Sequence, residues 1–391
     1  MAQRNQQEYR PLGCQARFRI LRSRLALPPL YLEARFLDHR LTSRILVKVT
    51  GWALPHSLVV ALRFLLALAG LWLLYARPAA AIDAAIQAQQ MARGINVLGY
   101  DPIWNDPAQG RFKEKYFPMI RDAGFKTIRV NLQAFAHMNG ANELDPQWLK
   151  TLDWVVSEAA GNNLIVILDE HDFESCSANA IGCRVKLTAF WQQIAHHFRD
   201  APDSVLFELL NEPNGEVTPV LWNSYLARLL AIVRGENPDR NVIIGPAFSN
   251  SFRHLAELNL PARDRHIIVT IHYYEPLTFT HQGAPWVPGG APPLGVTWGS
   301  EADRQALATN FETVQQWAKA QQRPVFLGEF GAYDKADMAS RVAYTAAVAR
   351  AAEARNWSWA YWQFDGNFIA YDVKAGQWVK PILTALAPPT E

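Results

Sequence analysis

Short apolar runs alternate with helical patterns along the chain beyond its amino-terminal region. The clearest run covers residues 205–210, is flanked by prolines, and is followed by Asn211 and Glu212. A short, continuous apolar run of this kind predicts a strand that is buried on both faces. Residues 324–329 repeat the pattern and again end at a glutamate, Glu329. The two glutamates can meet only if both strands belong to one closed sheet.

The same alternation predicts the fold. Strands are predicted over residues 94–98, 126–132, 164–168, 205–210, 241–245, 267–271, 324–329 and 358–362. Helices are predicted over residues 112–123, 146–160, 186–198, 219–235, 252–258, 301–321 and 337–355. This order predicts a single (β/α)₈ TIM barrel over residues 91–391. A doubly wound open sheet is the alternative, disfavoured because no Gly-x-Gly-x-x-Gly turn follows the first strand.

Charge is unevenly distributed between the predicted barrel and the segment before it. Residues 1–90 hold 12 basic and 4 acidic side chains, whereas the remainder holds 26 basic and 32 acidic ones. The predicted barrel is therefore acidic and has no basic patch, which argues against nucleic acid as a partner. Half of the 391 residues are hydrophobic, enough for one barrel plus an extension. We expect a monomer that needs no cofactor.

The amino-terminal segment, residues 1–90, carries the pattern of an export signal. An apolar core over residues 64–75 follows Arg63 and precedes three alanines that end at Ala81. We expect cleavage after Ala81 and a secreted or periplasmic protein. A retained signal anchor is the alternative, in which the catalytic domain is membrane-anchored outside the cytoplasm. A spanning helix over residues 58–75 would place Arg63 in the bilayer, which is costly. The Arg-rich residues upstream fit neither interpretation.

Two of the three cysteines, Cys176 and Cys183, lie in one predicted loop. An exported protein would permit a disulfide between them, and two unpaired thiols are the equally weighted alternative. Cys14 lies in the amino-terminal segment.

Polar, titratable and aromatic residues occupy the ends of the predicted strands, where barrel enzymes carry their chemistry. They are Arg129, Asn131, Asp169, His171, Asp172, Asn211, Glu212, His272, Tyr274, Glu329 and Trp362. Two carboxylates across a cleft suit cleavage of a glycosidic bond, because one can protonate the leaving oxygen while the other stabilises or attacks the sugar carbon. Arg129 is expected to lower the pKa of Glu329, and Tyr274 to donate a hydrogen bond to it.

These residues, taken in order, resemble glycoside hydrolase family 5, the cellulase family, and its bacterial endoglucanases in particular. The resemblance covers about residues 91–390 and rests on Arg129, His171, the Asn211-Glu212-Pro213 run, the His272-Tyr273-Tyr274 run, the Gly328-Glu329-Phe330 run and Trp362. It implies that Glu212 is the acid/base and Glu329 the nucleophile of a retaining mechanism, with carboxyl groups about 5 Å apart. Arg129, His171, Asn211, His272, Tyr274 and Trp362 would bind the substrate or support the two glutamates.

The implied function is an endo-acting retaining β-1,4-glucanase acting on a β-glucan polysaccharide. A β-mannanase or another hemicellulase is the alternative within the class, and a non-catalytic carbohydrate-binding barrel is the alternative outside it. Asp172 departs from the family, which often has a second histidine there. A metal at His171 and Asp172 is not expected, because the strand ends lack three converging ligands. Glu208 is expected to be a hydrogen-bonded structural acid, and Trp104, Trp286 and Trp298 are possible substrate contacts in loops.

Overall fold

The structure is a computed structural model that describes residues 32–34, 47–49 and 82–389. The chain divides into two compact units, Met1–Ala80 and Ala81–Glu391. The described part of the first unit is an antiparallel pair of strands, Leu32–Ala34 and Val47–Val49. The apolar core at 64–75 and Cys14 lie outside the described residues. Within the described ranges, no helix combines the length and the apolar character needed to span a bilayer.

Eight parallel strands of the second unit close into a barrel, as the sequence pattern predicts. They are β1 (Arg93–Val97), β2 (Thr127–Leu132), β3 (Ile165–Glu170), β4 (Val205–Glu208), β5 (Val242–Ile244), β6 (Ile267–Tyr273), β7 (Val325–Phe330) and β8 (Ser358–Tyr361). Each strand pairs with the next along the chain, and β8 closes the barrel by pairing with β1. The open-sheet alternative is therefore wrong.

Helices surround the barrel in the predicted order. They are α1 (Ala84–Met91), α2 (Tyr116–Asp122), α3 (Pro146–Gly161), α4 (Phe173–Ala178), α5 (Ala180–His197), α6 (Pro219–Glu236), α7 (Leu277–Thr280), α8 (Glu301–Gln321), α9 (Met338–Glu353) and α10 (Lys380–Leu386). The predicted helix at 252–258 is a 3₁₀ helix, Phe252–Glu257. A small antiparallel pair of strands, Tyr371–Asp372 and Gln377–Trp378, follows β8.

Local capping explains where several helices begin. The Asp145 carboxylate accepts hydrogen bonds from two amides at the start of α3, whose first residue is Pro146. Helix α5 begins before the predicted residue 186, because the Asn179 side chain accepts from Gly182 N and caps it. Helix α8 starts with a capping box between Ser300 and Asp303.

Helix α1 was not predicted, and it covers the amino-terminal end of the barrel. Its buried residues Ala84, Ala88 and Met91 belong to one core cluster with inward-facing strand residues such as Leu206 and Phe326. The carbonyl of Met91 also accepts a hydrogen bond from Thr127 Oγ1 at 2.7 Å. Helix α1 thus packs on the barrel core from a position before residue 91.

Candidate active site

Glu212 and Glu329 face each other at the carboxyl end of the barrel. Glu329 lies within β7, and Glu212 follows β4 after a short extended segment. A carboxylate oxygen of each glutamate and a ring nitrogen of His272 all lie within 4.8 Å of one another. The backbone of Glu212 has a φ of 43°, in the left-handed region that residues other than glycine rarely adopt. Residues far apart in the chain therefore form one pair of carboxylates.

Both oxygens of the Glu329 carboxylate accept hydrogen bonds. Arg129 Nη1 donates to Oε1 at 2.8 Å, and the Tyr274 hydroxyl donates to Oε2 at 2.9 Å. These two predicted contacts are present, and Arg129 acts to lower the pKa of Glu329 as predicted, but the net shift is upward. Burial raises the pKa of Glu329 above its ordinary value and outweighs the opposing effects of His272 and Arg129.

Arg129 is fully buried and links several strands of the barrel. Its Nε and Nη2 donate to the two oxygens of Glu208 at 2.7 and 2.8 Å, which confirms Glu208 as a hydrogen-bonded structural acid. Nη2 also donates to Asn211 Oδ1, and Nη1 also donates to Asn96 Oδ1. With Asp169 Oδ2 at 3.1 Å, one guanidinium serves three carboxylates. Arg129 therefore holds Glu208, Asn211 and Glu329 in one hydrogen-bond network.

The Glu212 side chain is only 18% exposed. Removal of most of it from water raises its pKa to about 7, and the charge of Glu208 contributes to the increase. His272 Nδ1 lies 2.7 Å from Glu212 Oε1 and 3.5 Å from Glu329 Oε2. Burial also lowers the pKa of His272 to about 4, so its ring is neutral at pH 7. Glu212 can therefore hold a proton at neutral pH, as a general acid must.

His171, Asn211 and Trp362 form the remaining wall of the site. The His171 ring stacks on Trp362 with 5.6 Å between centroids and 6° between planes. Asp169 Oδ2 accepts from His171 Nδ1 at 2.6 Å, so Asp169 is the carboxylate partner of this histidine. Asn211 Nδ2 lies 3.4 Å from His171 Nε2 while its oxygen is held by Arg129. All eight predicted site residues thus lie around one cleft.

Some features of the site were not predicted. Two fully buried asparagines were not predicted as site residues. Asn96 accepts a hydrogen bond from Arg129, and Asn250 contacts His272. A polar residue inside the apolar run of β1 was the available signal for Asn96. Trp104 and Trp298 are 5% and 6% exposed, so they are core residues rather than substrate contacts. Trp286 remains 47% exposed.

Cys176 and Cys183 form a disulfide, which decides between the two alternatives of the sequence analysis. The bond joins α4 to α5 in the segment that follows His171. Ser177, inside this segment, accepts a hydrogen bond through its carbonyl from Glu216 N at 2.9 Å. The disulfide therefore stabilises a segment that packs beside the chain following Glu212.

Glu212, His272 and Glu329 are also a group whose donor atoms could converge on a cation. In the neutral ring, however, Nε2 accepts from the Asn250 amide and Nδ1 carries the proton, so Nδ1 offers no lone pair to a metal. The residues fit proton transfer better than metal binding.

Comparison with known proteins agrees with this geometry. The model of the cellulase family, glycosyl hydrolase family 5, matches residues 86–368. The structure of Thermotoga maritima Cel5A in complex with cellobiose is 36% identical, with a TM-score of 0.74, and the match covers 78% of this chain and 100% of that chain. The cellulose synthase subunit Z of Clostridioides difficile is 36% identical with a TM-score of 0.72, over 76% of this chain and 99% of that one.

Among curated proteins, endoglucanase H of Acetivibrio thermocellus is 28% identical over 322 residues, which are 79% of this chain and 34% of that protein. The chain spans 34% to 56% of the length of three such relatives. Since the family model matches most of the chain and the paired glutamates lie where the chemistry of a barrel is expected, this chain belongs to glycosyl hydrolase family 5, the cellulase family.

Proposed function

We propose that the barrel is an endo-acting retaining β-1,4-glucanase that hydrolyses internal bonds of a β-glucan. The observation that carries the proposal is the short distance between Glu212 and Glu329: one carboxylate oxygen of each lies within 4.8 Å of the other. Carboxyl groups about 5 to 5.5 Å apart fit a retaining mechanism, whereas an inverting one needs about 6.5 Å or more to admit a water.

In the first step, Glu329 attacks the anomeric carbon and Glu212 protonates the leaving oxygen. Arg129 and Tyr274 donate to the two oxygens of Glu329, so they hold the carboxylate in a fixed orientation. Glu212 has a pKa of about 7 because it is buried, so it retains its proton for the leaving group. The bond to the leaving sugar breaks as the glycosyl–enzyme bond forms.

In the second step, Glu212 is ionised and acts as a base. It takes a proton from water, whose oxygen attacks the anomeric carbon and releases Glu329. Asn211 is oriented through its oxygen by Arg129 and faces His171 with one amide N–H, which leaves the second amide N–H to hold a sugar hydroxyl. Trp362 is partly exposed, and its face opposite His171 can pack against a sugar ring.

The names of the relatives support glucan as the polymer. Endoglucanase H and endoglucanase A of Clostridium longisporum are both matched over more than two thirds of this chain. Because Thermotoga maritima Cel5A has also been solved with mannotriose, mannan belongs in the assay as the rival substrate. A binding protein without catalysis is less supported, since both glutamates and their partners are in place.

The proposal is tested with carboxymethyl cellulose, mannan and xyloglucan. We expect the viscosity of carboxymethyl cellulose to fall faster than reducing ends appear, because internal bonds are cut. Proton NMR of the fresh products should show the β-anomer first. A first-formed α-anomer contradicts the retaining mechanism, and hydrolysis of mannan alone contradicts the glucanase assignment.

We also propose that the barrel works outside the cytoplasm as a monomer. The support is the sequence of residues 63–81, with its basic flank, apolar core and small residues. Amino-terminal sequencing of the exported protein should begin after Ala81. A protein recovered with the segment intact in the membrane fraction supports a retained anchor instead, and light scattering measures the oligomeric state.

A further inference from the structure

A left-handed turn follows β5 behind the two glutamates. Phe248, Ser249 and Asn250 have φ values of 58°, 59° and 52°. Three consecutive residues other than glycine in this region are uncommon, because the Cβ atoms crowd the backbone. Such a conformation persists only where its surroundings hold it, and it is often found at functional sites. The contacts of the turn indicate what it holds.

One side of the turn holds His272. Asn250 is fully buried, and its Nδ2 lies 3.2 Å from His272 Nε2. Ser251, the next residue, pairs with His272 in an isolated parallel bridge. The side-chain oxygen of Asn250 lies against Gly245, where an added Cβ would come within 2.1 Å of it. Gly245 therefore provides the space through which Asn250 reaches the ring.

The other side of the turn holds the segment that follows Glu212. Ser249 N donates to Pro213 O at 3.3 Å, and Asn214 Nδ2 donates to Ser249 Oγ at 2.9 Å. The turn thus contacts His272 on one side and the two residues that follow Glu212 on the other, and His272 Nδ1 lies 2.7 Å from Glu212 Oε1.

Chemistry fixes the direction of these hydrogen bonds. The Asn250 amide N–H can only donate, so Nε2 accepts from it and the single proton of the neutral ring lies on Nδ1, which faces two carboxylates. His171 has the same arrangement, with Nδ1 at a carboxylate and Nε2 beside the amide of Asn211. Each histidine is thus held between a carboxylate and an asparagine.

We propose that Asn250 is a positioning residue for the acid/base: its amide holds His272 in the Nδ1–H form, whose N–H occupies Oε1 of Glu212 and leaves the catalytic proton on Oε2. This inference rests on the proposed glycosidase function. Without the amide, the ring can take the other tautomer, in which Nδ1 accepts the proton of Glu212 and withdraws it from the leaving group. The ionisable groups that face His272 are Glu212, Glu329, Glu208, Arg129 and His171.

The test compares two substrates that differ in their need for an acid. Cellotetraose has a poor leaving group that must be protonated, whereas the dinitrophenolate of 2,4-dinitrophenyl β-cellobioside leaves without help. We expect Asn250→Ala to lower kcat/KM for cellotetraose about tenfold, the effect of one lost hydrogen bond, and to leave kcat/KM for the aryl cellobioside within about twofold of wild type.

Asn241→Ala is the matched control. Asn241 is also buried and donates one hydrogen bond from Nδ2, here to Ile82 O, and its side-chain oxygen has no partner among residues 82–389. It precedes β5 at the opposite end of the barrel, so its replacement should leave the ratio of the two kcat/KM values unchanged.

Asn250→Asp gives a readout that does not depend on how much enzyme folds. A protonated aspartate can still donate to Nε2, whereas an ionised one cannot. The alkaline limb of kcat/KM for cellotetraose should therefore move to lower pH than in wild type. Equal losses on both substrates, or an unmoved limb, overturn the inference. If the wild type cleaves neither substrate, the proposed function fails instead.

Discussion

Replacing Glu208 by glutamine tests the buried ion cluster beneath the site. Glu208 accepts two hydrogen bonds from Arg129, at 2.7 and 2.8 Å, and both side chains are fully buried. Glutamine offers one acceptor atom, so its NH₂ group would face a guanidinium N–H. Removing one partner of a buried ion pair costs about 3–5 kcal/mol. Because Arg129 keeps Asp169 and Glu329, we expect about 3 kcal/mol for Glu208→Gln.

Glu170 provides the matched control. It is equally buried at the end of β3, but among the described residues no arginine bonds to it and one of its oxygens has no partner. Burial raises the pKa of Glu170 well above its ordinary value, and so favours the neutral acid over the carboxylate. Glutamine is a neutral side chain of the same shape, so Glu170→Gln should cost less than about 1 kcal/mol.

The assay is urea unfolding of residues 82–391 or the full chain at pH 7, followed by tryptophan fluorescence. For a domain of this size, about 3 kcal/mol corresponds to a fall in Tm of about 6 °C. The pKa of Glu212 should also fall, because the charge of Glu208 helps to raise it. The alkaline limb of activity then moves to lower pH. If Glu208→Gln is no less stable than Glu170→Gln, the cluster does not stabilise the fold as argued.

Three further predictions concern the catalytic pair and the disulfide. Glu329→Gln should abolish turnover while calorimetry shows nearly unchanged binding of cello-oligosaccharides; residual turnover near wild type contradicts its role as nucleophile. Activity requires ionised Glu329 and protonated Glu212. On the acid side, kcat/KM should fall as Glu329 is protonated, at a pH above 4.5, and on the alkaline side it should fall as Glu212 loses its proton near pH 7. A flat profile to pH 9 contradicts the assignment. Replacing Cys176 and Cys183 by serine should lower stability by about 2 kcal/mol and Tm by about 4 °C, and an unchanged melting curve means that the disulfide adds nothing.

The sequence predicts the barrel and the strand-end residues well, because both depend on local pattern. A buried parallel strand is a continuous apolar run, and the acid that ends the run is visible in the sequence, as at Glu212 and Glu329. Helix α1 was missed because a short helix with a small apolar face resembles the extension before it.

Other features depend on how distant segments pack. The pKa of Glu329 follows from burial as well as from Arg129, and burial is not visible in a motif. Trp104 lies in a loop, yet its indole packs on Trp148 with 5.3 Å between centroids. Asn250 acts from a turn whose left-handed backbone has no glycine to reveal it.

At Glu212, a backbone conformation that lowers the stability of the fold occurs at a residue that catalysis requires. Holding a side chain with a Cβ atom at a φ of 43° costs about 1–3 kcal/mol, which glycine would not incur. A barrel with glycine at this position would therefore avoid this conformational free-energy cost but would lose its proton donor. Searches for heat-resistant variants that ignore turnover should select against the acid itself.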